Sequence, residues 1–227
     1  MMRSFSCRGL HKTACLTFHN PGCSMIGLLF TTTEEAAPFV QNHTTGRIEA
    51  LSEDAPIQTE DLVVGVTGTG KVNAALATER LLRDHDLDAL LHTGPCTALS
   101  EDLSPGTLIE AEFVLEGDRV ELDAPTYPRM PLACPFDLSA EGTLVSQDHT
   151  TDDADEQSYW ERIADVRDDA GYPVAYVAGQ HGTPCHIAKV VTTYPEQDGA
   201  PVDVSNRSQV IAGFLEEVLE DRNWLTS

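Results

Sequence analysis

The chain has 227 residues, 41% of them hydrophobic, which is enough to bury one sizeable core, and a single domain is expected at that length. Its 37 acidic residues against 14 basic ones give a formal net charge of −23, so nucleic acid and anionic membranes are poor partners. No apolar run approaches the roughly 18 residues needed to cross a bilayer, so a soluble globular protein is expected. With only three lysines, Lys12, Lys71 and Lys189, the composition fits either a generic acidic cytoplasmic protein or a halophilic one kept soluble at high salt.

Residues 1–24 contain no acid, whereas all 37 acidic residues follow them, and a second start stands at Met25. The segment reads either as a transit peptide or as upstream sequence from a misassigned start. It is expected to lack ordered structure, leaving 25–227 as the domain. Cys7, His11, Cys15, His19 and Cys23 recur there every four residues, a spacing that would gather metal ligands on one helical face. Gly9, Pro21 and Gly22 interrupt such a helix, and no metal site is assigned. Cys96, Cys134 and Cys185 are scattered singly, which argues against a disulfide framework and for a reducing cytoplasm.

From Met25 short apolar runs alternate with helical patterns, the signature of α/β architecture. IGLLF (26–30) predicts a buried strand, and EEAAPFVQ opens a short helix. DLVVGVTG (61–68) is the next strand, NAALATERLLRD (73–84) an amphipathic helix, and LDALLHTG (87–94) a third strand ending in glycine. GTLIEAEFVL (106–115) and EGTLVSQD (141–148) read as strands, separated by an irregular excursion at 116–140 that holds four prolines. SYWERIADV (158–166) predicts a helix. GYPVAYVAGQHG (171–182) predicts another, with Pro173 in its first turn, where a missing N–H costs little. PCHIAKVVTT (184–193) is a core strand. A final helix follows Ser205 as N-cap, with Val210, Ile211, Phe214, Leu215, Val218 and Leu219 as its apolar stripe.

Three strand ends carry unusual residues: TTTEE, TGTGK and TGPCTAL. In open α/β sheets ligands gather at the carboxyl ends of strands, where glycines admit backbone amides and threonines add donors. TGTGK lacks the spacing and the trailing hydroxyl residue of a phosphate-binding P-loop. Next to a helix start, Asp168 and Asp169 read either as active-site carboxylates or as solvated charges favoured by the helix dipole, and the second reading is preferred.

Taken in order, IGLLFTTTEE, TGTGKVNAA, HTGPCTALSEDLSPGTLI, GTLVSQD and GYPVAYVAGQHGTP resemble the nucleoside phosphorylase and nucleosidase superfamily, most closely its methylthioadenosine/S-adenosylhomocysteine nucleosidases. The resemblance runs from Met25 to about Leu225. It implies a three-layer αβα sandwich with a mixed central sheet, no cofactor, and a homodimer acting on a small-molecule nucleoside. The implied reaction removes a base from a ribosyl carbon through an oxocarbenium-like state, which calls for an acid on the leaving purine, a carboxylate on the ribose hydroxyls and a base that orients water.

By the same resemblance Glu35 is the water-activating glutamate, although a first-turn acid is also favoured there by the helix dipole alone. Thr67, Gly68, Gly70, Thr93, Gly94, Asp148 and His149 are the expected substrate-binding residues. Ungapped alignment places Ala170 at the ribose-binding glutamate and Thr193 at the acid that protonates the purine, and a threonine hydroxyl is no acid near neutral pH. A one-residue slip would bring Asp169 into the pocket instead. Cys96 reads as a small buried hydrophobe, and His92 and His186 as core or second-layer groups. Three functions follow: a purine-type nucleosidase, a degraded homologue that binds nucleosides without turnover, and a relative acting on another ribosyl compound such as futalosine.

Overall fold

A computed structural model of the chain describes residues 24–43, 50–52, 55–99, 102–118, 129–149, 154–193 and 204–221. Its strands are β1 (Ile26–Phe30), β2 (Ile57–Gln58), β3 (Leu62–Val66), β4 (Ala89–Ala98), β5 (Leu108–Glu116), β6 (Arg129–Pro131), β7 (Ala140–Ser146), β8 (Val166–Asp168) and β9 (Cys185–Thr193). The helices are α1 (Thr33–His43), α2 (Lys71–Asp84), α3 (Ala154–Trp160), α4 (Gly171–His181) and α5 (Val204–Glu220). The Cys and His residues of the leader lie outside the described residues.

β3, β1, β4 and β9 run parallel in that order. β9 then pairs antiparallel with β5, β5 parallel with β7, β7 parallel with β8, and β8 antiparallel with the end of β4. With the β4–β9 pairing these four return to β4, so β4, β9, β5, β7 and β8 close a ring. The sheet is mixed, as the resemblance implies, and helices flank it.

The two faces of β1 and β3 follow strand parity. Ile26, Leu28, Phe30, Leu62, Val64 and Val66 pack with α1 and α5, whereas Leu29 and Val63 pack with α2 and α4. Because both faces are covered, the strands read as continuous apolar runs rather than alternating ones. Each fully buried leucine or isoleucine contributes about 1.5–3 kcal/mol. Gly27 lets the sheet and the approach to β4 close up, since a Cβ there would stand 2.5 Å from Leu87 Cδ1 and 2.8 Å from Leu90 Cδ1.

α1 carries Pro38 in its interior. Proline has no N–H for the carbonyl of Glu34 four residues back. The Ser208 hydroxyl from α5 donates to that carbonyl at 3.5 Å, so the helix that covers α1 also serves its broken ladder. The predicted stripe of α5 is borne out, with Ile211 and Leu215 fully buried and Phe214 and Val218 nearly so. The helix begins at Val204, so Ser205 lies inside it rather than capping it.

Two expectations are corrected. The 158–166 helix ends at Trp160, and Val166–Asp168 form β8 instead, because their backbone pairs with both β7 and β4. Trp160, 2% exposed, anchors the short α3 against Leu99, Leu115, Val145 and Ala164. The third strand does not stop at Gly94 but continues to Ala98, held by β9 through a bulge at Cys96/Thr97. Within the described residues of the 116–140 excursion, β6 pairs with β5. Among the described residues, no helix is long and apolar enough to cross a membrane.

The chain is tied into the sheet from Met25 onward. The Met25 N–H donates to Asp88 Oδ2 at 2.8 Å, its carbonyl accepts from Asp88 N at 2.9 Å, and Ile26 N donates to the carbonyl of Asp61 at 2.9 Å. We therefore expect a chain beginning at Met25 to fold in soluble form and to melt within about 2–4 °C of the full chain, which corresponds to about 1 kcal/mol at this size. Calorimetry checks this, and a larger loss would show that residues 1–24 belong to the fold.

Candidate active site

The turn after β1 sets the first group. Thr32 caps α1, its Oγ1 accepting the Glu35 N–H at 3.3 Å while Glu35 Oε2 accepts the Thr32 N–H at 3.3 Å. This reciprocal capping box follows from the Thr-x-x-Glu spacing of TTEE. Glu35 is nonetheless 2% exposed, and its Oε1 lies 3.9 Å from Arg207 Nη2. Burial raises its pKa above the ordinary glutamate value, against the opposing pull of Lys189, Arg207 and the backbone amides of Thr32 and Thr31. A carboxylate poised upward in this way is better matched to proton transfer near neutrality than an exposed one.

Gly94 lies directly beneath this carboxylate. A Cβ on it would stand 2.7 Å from Thr31 Oγ1, 3.4 Å from Glu35 Oε2 and 3.5 Å from Lys189 Nζ. Its φ of +153° is strained for any residue with a side chain. Only bare backbone lets the end of β1 meet the middle of β4 and β9 here.

Lys189 is 1% exposed, and its ammonium donates to His92 Nε2 at 2.7 Å and pairs with Asp168 Oδ2 at 2.9 Å. The His92 Nδ1 is 3.0 Å from the carbonyl of Leu29, so that nitrogen carries the proton and Nε2 offers its lone pair to Lys189. Burial, and then the neighbouring Lys189 charge, push His92 down to about 3, so the ring is neutral. For Asp168, burial raises the pKa, but Lys189, His92 and Ser146 outweigh it and hold the carboxyl below its ordinary value. Its Oδ1 accepts from Ser146 Oγ at 2.6 Å, and its Oδ2 accepts the first amide of α4, Gly171 N, at 2.9 Å.

Around the glycine turn before α2 a second set of carboxylates converges. Gly68 and Gly70 adopt φ of 70° and 90°. Asp169 Oδ2 accepts Gly70 N at 2.7 Å, and Asp148 Oδ1 accepts Lys71 N at 2.8 Å. Both acids thus cover free amides at the positive end of a helix dipole. Burial raises the pKa of Asp169. The Lys71 ammonium pairs with Glu116 and Asp118.

The structure places the predicted residues unevenly. Glu35 and Gly94 meet at one point, with Thr67 and Thr93 buried nearby along β3 and β4; the Thr67 hydroxyl donates to Gly68 O at 2.8 Å, and Thr93 Oγ1 is unpartnered among the described residues. His149 is exposed. Ala170 is 0% exposed, and its methyl packs among Leu81, Val174 and Ala178 in the core between α2 and α4, whereas Asp169 beside it turns to Gly70. Thr193 Oγ1 bonds Thr97 Oγ1 at 2.8 Å. The reading of Asp168 as a solvated charge is corrected: its side chain is 2% exposed, buried because Lys189, Ser146 and Gly171 satisfy both oxygens. Cys96, 4% exposed in the core with its thiol pushed up by burial, behaves as the small hydrophobe it was expected to be. The sequence assigns Lys189 no place in the site, although a lysine inside an apolar strand of a chain with three lysines is a usable signal.

Residues 26–220 match the Phosphorylase superfamily. The chain belongs to that superfamily. Solved structures similar to it include a mutant futalosine hydrolase of Helicobacter pylori strain 26695, with a TM-score of 0.73 and 18% identity over 87% of this chain and 99% of that one. The 5′-methylthioadenosine/S-adenosylhomocysteine nucleosidase of Helicobacter pylori, complexed with a pyrrolopyrimidine-bearing pyrrolidinol, gives 0.73 and 18% over 88% and 99%. The nucleosidase of the same name from Campylobacter jejuni gives 0.71 and 18% over 87% and 99%. At these identities the likeness is one of fold. No curated protein matches the sequence significantly.

Within this superfamily member the Lys189–Asp168 pair yields a stability prediction. Removing one partner of a buried pair typically costs about 3–5 kcal/mol, because the other charge is left uncompensated. Lys189→Met should lose that much in urea unfolding, and adding Asp168→Asn should restore part of it; strict additivity would disprove the coupling. Asp168 is depressed in the folded state, so its contribution is fully present above the ordinary aspartate pKa of about 3.9 and is lost as pH falls through the lower folded value. The Asp168→Asn protein should therefore lose less stability on acidification below about pH 4 than the unmodified chain.

Proposed function

We propose that this chain hydrolyses the N-ribosyl bond of a purine-type nucleoside such as methylthioadenosine or S-adenosylhomocysteine, with Glu35 orienting the attacking water. The observation that carries the reading is the Glu35 carboxylate itself: buried to 2% exposure, raised in pKa by that burial, and set over Gly94 beside Lys189. A water between Glu35 and the ribosyl carbon would pass its proton to a carboxylate adapted to take it. Cationic charge on the sugar would develop near the carboxylates of Glu35 and Asp169.

The leaving-group side is poorer. Thr193 offers only a hydroxyl, already bonded to Thr97, so this position supplies no carboxylic acid for the departing purine. Absence of a general acid costs about 10²–10⁴-fold. That bond also favours a second reading, in which the chain binds nucleosides without turning them over, and a third substrate, futalosine, belongs in the same assay. We place the protein in the cytoplasm, on the free thiols of Cys96, Cys134 and Cys185, and attribute its acidity to work at high salt.

Base release from methylthioadenosine, S-adenosylhomocysteine, adenosine and futalosine, followed by chromatography, tests the proposal. Slow release is expected, lost on Glu35→Gln and raised by about 10²-fold on Thr193→Asp. Ala170→Glu is unsuited to restoring a ribose clamp, since it would drive a carboxylate into the core between α2 and α4. Activity that survives Glu35→Gln would overturn the assignment, and binding without release would favour the second reading.

We further propose a homodimer, since α2 and α4 together present Val72, Leu76 and Tyr176 at 69%, 49% and 48% exposure on adjoining helices. Closed two-fold dimers are the commonest soluble assembly. Light scattering at moderate and high salt should give twice the chain mass, and Val72→Glu with Leu76→Glu should halve it. A monomer at both salt concentrations would refute the dimer.

A further inference from the structure

Glu110 on β5 and Glu141 on β7 stand opposite one another in the parallel register of those strands. Like charges in that relation destabilise a sheet. Glu110 is 0% exposed; its Oε1 accepts the Phe136 N–H at 3.2 Å, and among the described residues its Oε2 has no hydrogen-bond partner. A buried carboxylate oxygen left without a donor is among the costliest groups a core can hold. Among the described residues, no lysine, arginine or histidine forms an ion pair with either glutamate.

The third member is Cys134, half-buried in the segment between β6 and β7. One ligand atom from each of Glu110, Cys134 and Glu141 lies within 4.8 Å of the others. A cation at their centre would meet the unpartnered oxygen, separate the two opposed carboxylates and bond the thiolate.

We propose that Glu110, Cys134 and Glu141 form a structural binding site for a divalent cation of borderline softness, with Zn²⁺ as its natural occupant. Two carboxylates alone would suit a hard ion such as Ca²⁺ or Mg²⁺, but a sulfur ligand selects toward zinc, which accepts both donor types in a tetrahedral set. Three protein ligands leave the fourth position to water, reached from the side of the exposed Glu141. On binding, the Cys134 S–H bond breaks, the proton passes to solvent and the thiolate electron pair forms the metal–sulfur bond. The ion fastens the segment carrying Cys134 and Phe136 to β5 and β7. Phe136 in turn packs edge-on against Phe214 of α5, with centroids 5.4 Å apart. None of the three ligands belongs to the candidate active site.

The test is zinc titration of the full chain after chelation and reduction, with bound metal counted after desalting. Cys134→Ser, Glu110→Gln and Glu141→Gln should each hold one equivalent fewer than the unmodified chain. The leader's cysteines and histidines are present in all four and contribute a constant background. Glu141→Gln is an exposed substitution that leaves the core untouched, so it reports on the site even where Glu110→Gln perturbs folding. Co²⁺ in place of zinc should give a sulfur-to-cobalt charge-transfer band that Cys134→Ser removes. Equal metal content in the unmodified, Cys134→Ser and Glu141→Gln chains, or a cobalt band unchanged by Cys134→Ser, would overturn the proposal.

Discussion

The Lys189 ammonium sits at 1% exposure between a neutral imidazole and a carboxylate, and each of those partners is held by a different element. His92 is fixed by β1 through the Leu29 carbonyl, while Asp168 is fixed by β7 through Ser146 and by α4 through Gly171. A charge in this position costs several kcal/mol to desolvate unless its geometry is nearly complete. The strands cannot slide without breaking it, because a one-residue slip of β9 would turn Lys189 to the opposite face. One side chain therefore fixes the register of β9 against β4 and the approach of β8. By its charge it also draws down the pKa of Glu35 and Asp168.

This dependence explains which parts of the protein were legible. β1, β3 and β9 announce themselves because both their faces are covered, and the helices α2, α4 and α5 because one face is. β8 is three residues long, too short for periodicity to register, and exists only because β4 and β7 supply partners. At the site, Glu35 was legible through the resemblance of TTTEE to the superfamily's paired glutamates, while its cap with Thr32 emerges only in the structure. Lys189 was not, since its partners lie 97 and 21 residues away and no local rule connects them. Asp168 misled for a related reason: an acid before a helix is usually solvated, and only the fold reveals a lysine above it. The group of Glu110, Cys134 and Glu141 has no spacing signature either, being assembled by the β5–β7 register and a long connection.

The scarcity of lysine sharpens the point. Of three lysines in a chain with net charge −23, Lys71 and Lys189 both stand where carboxylates have been gathered. The two lysines among the described residues are not surface charges: Lys71 holds the start of α2 against Glu116 and Asp118, and Lys189 joins β9 to β4 and β8. Such pairs are screened far less by salt than exposed ones, because ions do not enter the protein to compete. An acidic surface and a lysine-centred interior are thus compatible at high ionic strength, since each relies on a different part of the electrostatics.

Glu35 illustrates how a local structural rule and a chemical task share one residue. Its Oε2 closes the capping box, which alone would stabilise the helix and lower the carboxylate's basicity. Burial acts in the opposite direction and prevails. The capping bond also fixes the side-chain rotamer, so the remaining lone pairs are aimed by the backbone of α1 rather than by a flexible chain, which is the condition for orienting a water. On the opposite side of the proposed reaction, Thr97 and Thr193 satisfy each other and, among the described residues, that position offers only hydroxyls. Under N-ribosyl hydrolysis the assistance is therefore concentrated on the nucleophile. The rate would then depend on how well the departing base carries its own negative charge, so selectivity among nucleosides would follow the acidity of the leaving group rather than the fit of the sugar.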